Sequence, residues 1–320
     1  MEWLVPLADL DYGIEEEQAV LQVLRSRWLT MGAVTQEFER EFAVRHGVKH
    51  AFAVSNATVA LHLACLAAGI GVGDEVIAPS LSFVATTNAV LYTGASVKFA
   101  EIIGHEELTI APEAIASLIT PRTKAVIVMH YGGYPCHMAE IMALAREHSL
   151  VVIEDAAHAP GASLDGKSLG SWGDIGCFSF FSNKNLSTGE GGMVTTNNDR
   201  LAEKVHLLRS HGMTSLTWDR HRGHAYTYDV VEIGYNYRLD EIRSALGLAQ
   251  LHKLNTNNER RKEVTNIYWE GFFETGVGLP FRRIDPAWKP AYHIFPILLP
   301  EGVDRLRFID AVRAVGVKTS

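Results

Sequence analysis

The sequence contains few cysteines for its length, and their placement excludes two classes of protein. Three occur in 320 residues, Cys65, Cys136 and Cys177, and they lie far apart along the chain. Their spacing matches neither a disulfide framework nor a cysteine-based metal site. We therefore expect a protein of a reducing compartment, the cytoplasm.

The sequence also lacks the signals of membranes, secretion and nucleic-acid binding. It has no apolar run of about 18 residues or more, the length that a spanning helix needs. The first residues, MEWLVPLADLDYGIEEE, are acidic where a signal peptide would be basic and then apolar. The net charge is −8, and the lysines and arginines are scattered rather than clustered as on a nucleic-acid surface. We expect neither a membrane nor a nucleic acid as a partner.

What the sequence does have is 47% apolar residues in segments that alternate between strand and helix. Continuous apolar runs such as AVIVM are typical of strands buried on both faces. Strands alternating with helices predict an α/β fold with a largely parallel central sheet flanked by helices. We predict strands at 75–80, 96–102, 124–133 and 151–155, and helices at 15–27, 35–45, 55–69, 83–92, 112–119 and 138–148.

Beyond residue 200 the pattern becomes mostly helical. We predict helices at 201–211, 239–253 and 257–273, then a strand at 293–300 and a helix at 304–315. The change in pattern suggests a large domain over residues 1–250 and a small C-terminal α/β domain over residues 251–320.

The segment from Val151 to Thr196 carries the most specific chemistry. A buried strand ends in Glu154 and Asp155, and a later aromatic strand, FSFF, leads to Lys184, with GEGG soon after. A lysine and a carboxylate at strand ends are what pyridoxal 5'-phosphate (PLP) requires. The lysine holds the cofactor as a Schiff base, and the carboxylate keeps the ring nitrogen protonated. We predict Lys184 and Asp155 as the catalytic pair, with Glu154 on the opposite side of its strand.

Other segments supply candidates for holding the phosphate and the ring. SNATVALHLACLAAG begins a helix at which Ser55, Asn56 and Thr58 cluster, and a helix N-terminus suits a phosphate. Ser179, five residues before Lys184, is a candidate hydroxyl donor, and Phe83 is a candidate for lying flat on the pyridine ring.

These segments together resemble the DegT/DnrJ/EryC1/StrS family, the nucleotide-sugar aminotransferases of fold type I in the aspartate aminotransferase superfamily. The resemblance covers nearly the whole chain. It rests on eight motifs that occur in the family's order: WLTMG, FEREFA, SNATVALHLA, GDEVIAPSLSFVATTNAV, EDAAHA, FSFFSNKNLSTGEGG, RSHGM and GYNYRLDEIRSALG.

The resemblance assigns cofactor-binding roles residue by residue. It implies that Lys184 forms the Schiff base and Asp155 pairs with the ring nitrogen. It also implies contacts to the phosphate, the ring face and the ring hydroxyl from Ala57, Thr58, Ser179, Phe83 and His158. Many family members have glycine where this chain has Ala57, but alanine keeps the N–H.

The resemblance further implies a homodimer with shared active sites. The family's GYNYR loop reaches into the neighbouring subunit, where Asn236 would contact the phosphate. Arg238 would face the cofactor or a nucleotide diphosphate, and Thr30 and Met31 would line the substrate side.

Structural roles are the alternatives for several of these residues. Phe83 would pack in the core, His158 would be a hydrogen-bonded loop residue, and Thr30 and Met31 would pack in the core or in a turn. His293, at a predicted strand start, has the same two interpretations, a structural role or one on the substrate side.

A metal site is not predicted. The histidines His221 and His224, near two arginines, have no carboxylate or cysteine at ligand spacing, so we interpret them as part of a polar loop.

The function implied is transfer of an amino group from an amino acid, glutamate by family precedent, to a keto-sugar nucleotide. The product would be an amino sugar for a polysaccharide, a glycan or an antibiotic. The alternatives are amination of a cyclitol ketone and a regulatory protein that binds PLP without turnover. Related sugar 3-dehydratases carry histidine in place of the lysine, and Lys184 argues against that activity. The family usually continues past the point where this sequence stops, so the predicted small domain is either short or clipped.

Overall fold

The computed structural model describes residues 3–215, 218 and 227–320. The histidines His221 and His224 lie outside the described residues. Among those described, no helix combines the length and apolar character needed to cross a membrane.

Within the described residues, ten strands form two sheets. The large sheet has seven strands and the small one has three, and the strands in chain order are β1 (His50–Val54), β2 (Glu75–Pro79), β3 (Ser96–Ala100), β4 (Thr123–Met129), β5 (Val151–Asp155), β6 (Ser163–Leu164), β7 (Lys167–Ser168), β8 (Ile175–Ser179), β9 (Gly192–Thr196) and β10 (Trp288–Lys289). The large sheet has the order β1-β9-β8-β5-β4-β2-β3, and the small one has the order β10-β6-β7.

Helices cover both faces of the large sheet. Those described are α1 (Ile14–Ser26), α2 (Ala33–His46), α3 (Ala57–Ala67), α4 (Val84–Leu91), α5 (Pro112–Leu118), α6 (Met138–Glu147), α7 (Asp199–Leu208), α8 (Glu241–Gly271) and α9 (Arg305–Ala314).

Strand β4 shows why the sheet is covered on both sides. Its alternate residues Val126 and Val128 lie in the core cluster that includes α2 and α6, while Ala125 and Ile127 lie in the cluster around α3. Because successive side chains of a strand point to opposite faces, the run AVIVM buries both faces of the sheet. The predicted α/β class is confirmed.

The direction of the strands determines where a site can form. Strand β9 is antiparallel to both of its neighbours, and the remaining pairs in the large sheet are parallel. Six strands therefore run in one direction and end at the same edge, and we call this edge the carboxyl rim. Ligands of such sheets bind beyond the carboxyl ends of the strands.

Three local predictions were wrong: a break in the helix after residue 253, a strand at 293–300, and an aromatic strand that continues up to Lys184. The helices predicted at 239–253 and 257–273 are one helix, α8. The polar run between them would favour a turn, but it stays helical because Asn258 is buried and hydrogen-bonded to Pro160 and Asn185. The strand predicted at 293–300 pairs only at Leu298. Its first residue, His293, donates its backbone N–H to Gly132 O at 2.8 Å in the loop after β4.

The aromatic strand leading to Lys184 leaves the sheet early, since β8 ends at Ser179. Helix α8 passes through residue 250 without interruption. The division of the chain into domains at that point stays a prediction.

The start of α8 anchors the start of α2. The buried carboxylate of Glu241 accepts hydrogen bonds from the backbone of Gly32, Val34 and Thr35 at 2.8, 3.0 and 2.8 Å, and from the Thr35 hydroxyl at 2.7 Å. The first N–H groups of a helix have no acceptor within the helix, and here one carboxylate from another helix is the acceptor.

Replacing this carboxylate by an amide should destabilise the protein. In Glu241→Gln an NH₂ group takes the place of an acceptor oxygen opposite backbone donors, and we expect a loss of about 2 kcal/mol in the free energy of unfolding. Urea unfolding followed by circular dichroism measures it. Glu270→Gln, an exposed position on the same helix, should change stability by less than about 0.5 kcal/mol. Equal losses in the two variants would contradict the anchoring role.

Candidate active site

Asp155 lies at the carboxyl rim as the last residue of β5 and is 3% exposed. Its Oδ2 accepts a hydrogen bond from the Thr86 hydroxyl at 2.7 Å, and its Oδ1 accepts one from Ala157 N at 3.1 Å. Burial raises the pKa of this carboxyl, and the hydrogen bonds and the charge of Lys184 oppose that rise. A buried carboxylate of this kind is stabilised by any cation that pairs with it.

Thr86 belongs to α4 and was not singled out in the sequence. Its hydroxyl also lies 2.6 Å from the Ser82 hydroxyl, so the helix that begins after Phe83 is tied directly to Asp155. The spacing of four residues between Ser82 and Thr86 was the available signal.

Lys184 follows β8 in a turn in which its backbone N–H donates to Phe181 O at 2.8 Å. Its amine lies 3.4 Å from Nε2 of His293. Burial lowers the pKa of Lys184 to about 8, while the charge of Asp155 acts in the opposite direction. An amine with this pKa is neutral in an appreciable fraction at neutral pH, which is the form that attacks a carbonyl.

His158 is a neutral histidine whose tautomer is determined by the backbone. The N–H of Gly132 donates to its Nδ1 at 3.2 Å. Because a backbone N–H can only donate, Nδ1 is the acceptor and the ring proton is on Nε2. Burial lowers the pKa of His158 to about 3, with Lys184 contributing in the same direction, so the ring carries no charge at neutral pH.

The predicted phosphate-binding residues meet at Gly192. Both Val54, at the end of β1, and Ser179, at the end of β8, pair with this glycine. A Cβ on Gly192 would lie 2.7 Å from the backbone carbonyl carbon of Asn56, so the glycine permits the close approach. Ser179 and the start of α3 therefore lie on either side of one strand residue.

Helix α3 starts with Ala57 and Thr58, next to this point. The Asn56 side chain caps the helix by accepting from Val59 N at 3.0 Å. The N–H groups of Ala57 and Thr58 belong to the first turn, where no acceptor exists within the helix. The geometry fits a phosphate at this end of the rim.

Phe83 precedes α4 and is 65% exposed. In the single chain, Phe83 therefore does not pack in the core, and that alternative is wrong. An exposed aromatic ring on the turn that leads to Thr86, and so to Asp155, fits the predicted stacking role, which stays a prediction.

The remaining predicted residues lie near the end of β1 or on the surface. Arg238 forms a backbone bridge with Val54 and donates from its guanidinium to the Ser210 hydroxyl at 2.9 Å. Asn236 is exposed, and its backbone bridges Ser210. Thr30 is exposed.

Met31 differs from Thr30 in being buried, with 6% of its surface exposed, and this favours the packing alternative. The substrate-side roles of Thr30, Met31 and Arg238 stay predictions.

Glu154 lies on the opposite side of β5 from Asp155, as predicted from strand alternation. It accepts from Gly170 N at 2.7 Å, Gly173 N at 2.6 Å and His130 Nε2 at 2.9 Å. These contacts fix the loop that precedes β8 and make Glu154 a structural residue.

A buried polar chain behind Lys184 was not predicted. Nδ1 of His293 lies 2.9 Å from Oδ1 of Asn185, and Nδ2 of Asn185 donates to Ala291 O and to Asn258 Oδ1, both at 2.7 Å. The position of Asn185 directly after the lysine was the only signal for it in the sequence.

The three cysteines are buried and none forms a disulfide. Within the described ranges, no group of three or more His, Cys, Asp or Glu side chains is arranged to hold a metal ion.

Comparison with known proteins agrees with this geometry. Residues 11–320 match the model of the DegT/DnrJ/EryC1/StrS aminotransferase family. The chain belongs to this family.

Individual relatives give the same result. The chain is 42% identical over 306 residues to the spore coat polysaccharide biosynthesis protein SpsC of Bacillus subtilis, covering 94% of this chain and 78% of SpsC. It is also similar to the structure of PseC from Helicobacter pylori, an aminotransferase involved in pseudoaminic acid biosynthesis, with a TM-score of 0.90 and 32% identity over 99% of this chain and 83% of PseC.

A third similar structure is Spr1654 of Streptococcus pneumoniae, solved in its PMP form. It has a TM-score of 0.91 and 25% identity, covering 98% of this chain and 84% of Spr1654. The fold type, the aminotransferase class and the PLP cofactor predicted from the sequence are confirmed.

The unusual acidity of Lys184 can be measured on the apoprotein. Reductive methylation at a series of pH values, quantified by peptide mass spectrometry, should give a labelling midpoint near pH 8. Since the charge of Asp155 favours the ammonium form, Asp155→Asn should move the midpoint to lower pH. Glu190→Gln, an exposed carboxylate six residues from the lysine, should leave it in place. A rise of the midpoint in Asp155→Asn would contradict the assigned electrostatics.

Proposed function

We propose that this aminotransferase moves the amino group of glutamate to the carbonyl carbon of a keto-sugar nucleotide, giving an amino sugar for polysaccharide, glycan or antibiotic biosynthesis. The observation that carries the proposal is the half-buried amine of Lys184, with its pKa lowered to about 8, at the same rim as the buried carboxylate of Asp155.

The residues at the rim fit PLP. Helix α3 would hold the phosphate through the N–H groups of Ala57 and Thr58, with the Ser179 hydroxyl beside them. Asp155 would pair with the ring nitrogen, and Phe83 would cover a ring face. When bound, PLP supplies an electron-withdrawing ring and a carbon that carries the amino group between the two substrates.

The chain's own groups then have distinct tasks. Lys184, as the neutral amine, would attach the cofactor. Once released, its amine would accept the proton from the α-carbon of the donor amino acid and deliver it to the cofactor carbon that takes up the amino group, and with the keto-sugar it would move a proton in the opposite sense, to the sugar carbon. Asp155, paired with the ring nitrogen, would stay ionised and would favour a proton on that nitrogen. His158 carries its proton on Nε2 and so has a hydrogen to donate to the ring hydroxyl oxygen.

The sugar substrate is supported by the relatives rather than by a contact within this chain. SpsC is named for polysaccharide biosynthesis and PseC for the biosynthesis of pseudoaminic acid. Arg238, near the end of β1, is the cation proposed to face the nucleotide diphosphate.

Two half-reactions test the function. Glutamate should abolish the yellow colour of the lysine-bound cofactor, and the correct member of a panel of keto-sugar nucleotides should restore it. Borohydride reduction followed by peptide mapping should place the cofactor on Lys184. Lys184→Ala should lower turnover by about 10²–10⁴-fold or more, whereas Lys167→Arg, at an exposed position, should not.

Each outcome has a defined meaning. Reduction that labels another lysine would overturn the role of Lys184. Turnover with a cyclitol ketone but with no keto-sugar nucleotide would overturn the substrate class. A coloured protein that glutamate leaves unchanged would be a binder without transaminase activity.

We also propose a homodimer in which Asn236 serves the site of the partner subunit. The segment just before Asn236 exposes large apolar side chains, with Ile233 at 88%, Val230 at 56% and Val231 at 55%. A contiguous exposed apolar segment of this kind is typical of an interaction surface, and Asn236 itself is exposed beside it.

A hybrid dimer tests this arrangement. Lys184→Ala and Asn236→Asp homodimers should both be nearly inactive. Their hybrid should recover about half of the wild-type activity, because the Asn236 of the first chain completes the lysine-bearing site of the second. Two affinity tags on the co-expressed chains isolate the hybrid. A hybrid of wild type with Lys184→Ala is the positive control, and a test hybrid no more active than its parents would show that Asn236 acts within its own chain.

A further inference from the structure

The amine of Lys184 is one end of a hydrogen-bonded chain whose other ends are backbone carbonyls. The chain passes from Lys184 Nζ to His293 Nε2 at 3.4 Å and from His293 Nδ1 to Asn185 Oδ1 at 2.9 Å. It continues from Asn185 Nδ2 to Asn258 Oδ1 at 2.7 Å and ends where Asn258 Nδ2 meets Pro160 O at 2.9 Å. A branch joins Asn185 Nδ2 to Ala291 O at 2.7 Å.

The carbonyl ends set the direction of every bond in this chain. A backbone carbonyl can only accept, so Pro160 O requires the NH₂ group of Asn258 to face it, and the Asn258 oxygen must face Asn185. Ala291 O and this oxygen both require the NH₂ group of Asn185. The Asn185 oxygen is therefore left facing His293. Reversing the Asn185 amide would place its oxygen against two acceptors, Ala291 O and Asn258 Oδ1.

The tautomer of His293 follows. Its Nδ1 faces an amide oxygen and must donate, so Nδ1 carries the ring proton. Burial lowers the pKa of His293 well below its ordinary value, and His158, Lys184 and Arg261 act in the same direction. The neutral ring then has a bare lone pair on Nε2, facing Lys184.

This direction matters for the nucleophile. A neutral amine attacks through its lone pair, and a neighbouring N–H donor would occupy that lone pair by hydrogen bonding. Because Nε2 of His293 has no proton, it accepts one N–H of Lys184 and leaves the lone pair of the amine directed elsewhere. We propose that His293, with its tautomer set by Asn185 and Asn258, is a positioning residue that keeps the Lys184 lone pair available for attack on a carbonyl.

The backbone around the chain is fixed in the same way. His293 N donates to Gly132 O at 2.8 Å, and Arg261 donates to His293 O at 3.3 Å. The ring packs against His158, with ring centroids 4.4 Å apart. His158 has the opposite tautomer, with its proton on Nε2, so the two tilted rings present an acceptor to the lysine and a donor to the proposed cofactor site.

The tautomer is testable on the apoprotein by ¹⁵N NMR of histidine-labelled protein at neutral pH. The imidazole signals that disappear in His293→Gln should belong to a neutral ring with its proton on Nδ1. A proton on Nε2 of His293, or a charged ring at neutral pH, would overturn the proposal.

His46 provides a matched internal control. Its Nδ1 lies 3.0 Å from the Phe42 carbonyl oxygen, which gives the same tautomer, but among the described residues its buried Nε2 has no hydrogen-bond partner. Lys184→Met should shift the Nε2 signal of His293 and leave that of His46 unchanged. Equal or absent shifts in both would show that Nε2 of His293 does not accept from Lys184.

The effect on the nucleophile has its own readout. With Asn185→Leu, which removes the acceptor that sets the tautomer, the methylation rate of neutral Lys184 in the apoprotein should fall about three- to tenfold. An unchanged rate in Asn185→Leu would overturn the positioning role, and if that variant does not fold, the NMR of the wild-type protein still decides.

The inference rests on the proposed role of Lys184, but different experiments can contradict the inference and the proposed function independently. The NMR experiments read the tautomer whether or not the cofactor binds this lysine. Borohydride mapping to another lysine would remove the proposed function and leave the hydrogen-bonded chain as a structural feature.

Discussion

The site depends on burying one carboxylate and partly burying one amine at the same edge of a sheet. Burial disfavours both charges, lowering the pKa of Lys184 and raising that of Asp155, while their mutual attraction opposes both shifts. The result is an amine that is readily deprotonated and a carboxylate that gains stability from a bound cation. The parallel sheet brings this about, because six strands that run in one direction put the ends of β5 and β8 side by side.

The second constraint is that backbone groups determine the proton positions on the histidines of this region. An N–H group can only donate and a carbonyl can only accept, so each fixes the tautomer of the ring that it contacts. Gly132 N places the proton of His158 on Nε2, and Cys136 N does the same for His130, which then donates to Glu154. The carbonyl ends of the Asn185 chain place the proton of His293 on Nδ1. Each of these rings therefore has a defined donor side and a defined acceptor side.

Much of the fold and part of the site could be predicted from the sequence. The apolar runs and the helical spacing predicted β2 to β5 and the helices up to α6 within a few residues, because these signals are local. Strand β1 was not predicted. Asp155, Lys184, Ser179 and the start of α3 were singled out as candidates because each belongs to a segment with a recognisable pattern. The antiparallel strand β9 was not predicted, since its glycine-rich start resembles a turn.

Contacts between distant segments account for what the sequence did not reveal. Asn258 lies in a polar run that favours a turn, yet it is hydrogen-bonded to Pro160 and Asn185, which lie 98 and 73 residues away along the chain. His293 lies 109 residues from Lys184, and nothing in its own neighbourhood identifies that partner. Predictions from local pattern therefore located the reactive groups but not the groups that orient them.

Glu154 and Asp155 show how neighbouring residues of the same charge come to have different tasks. Both are buried, but strand alternation turns them to opposite faces of the sheet. On its face Glu154 accepts two backbone N–H groups and one imidazole, which uses most of the acceptor capacity of a carboxylate. Asp155 accepts one hydroxyl and one backbone N–H, and it has more acceptor capacity left. Because of this remaining capacity, at the rim and close enough to feel the charge of Lys184, we assign the proposed pairing with a cationic ring to Asp155 rather than to Glu154.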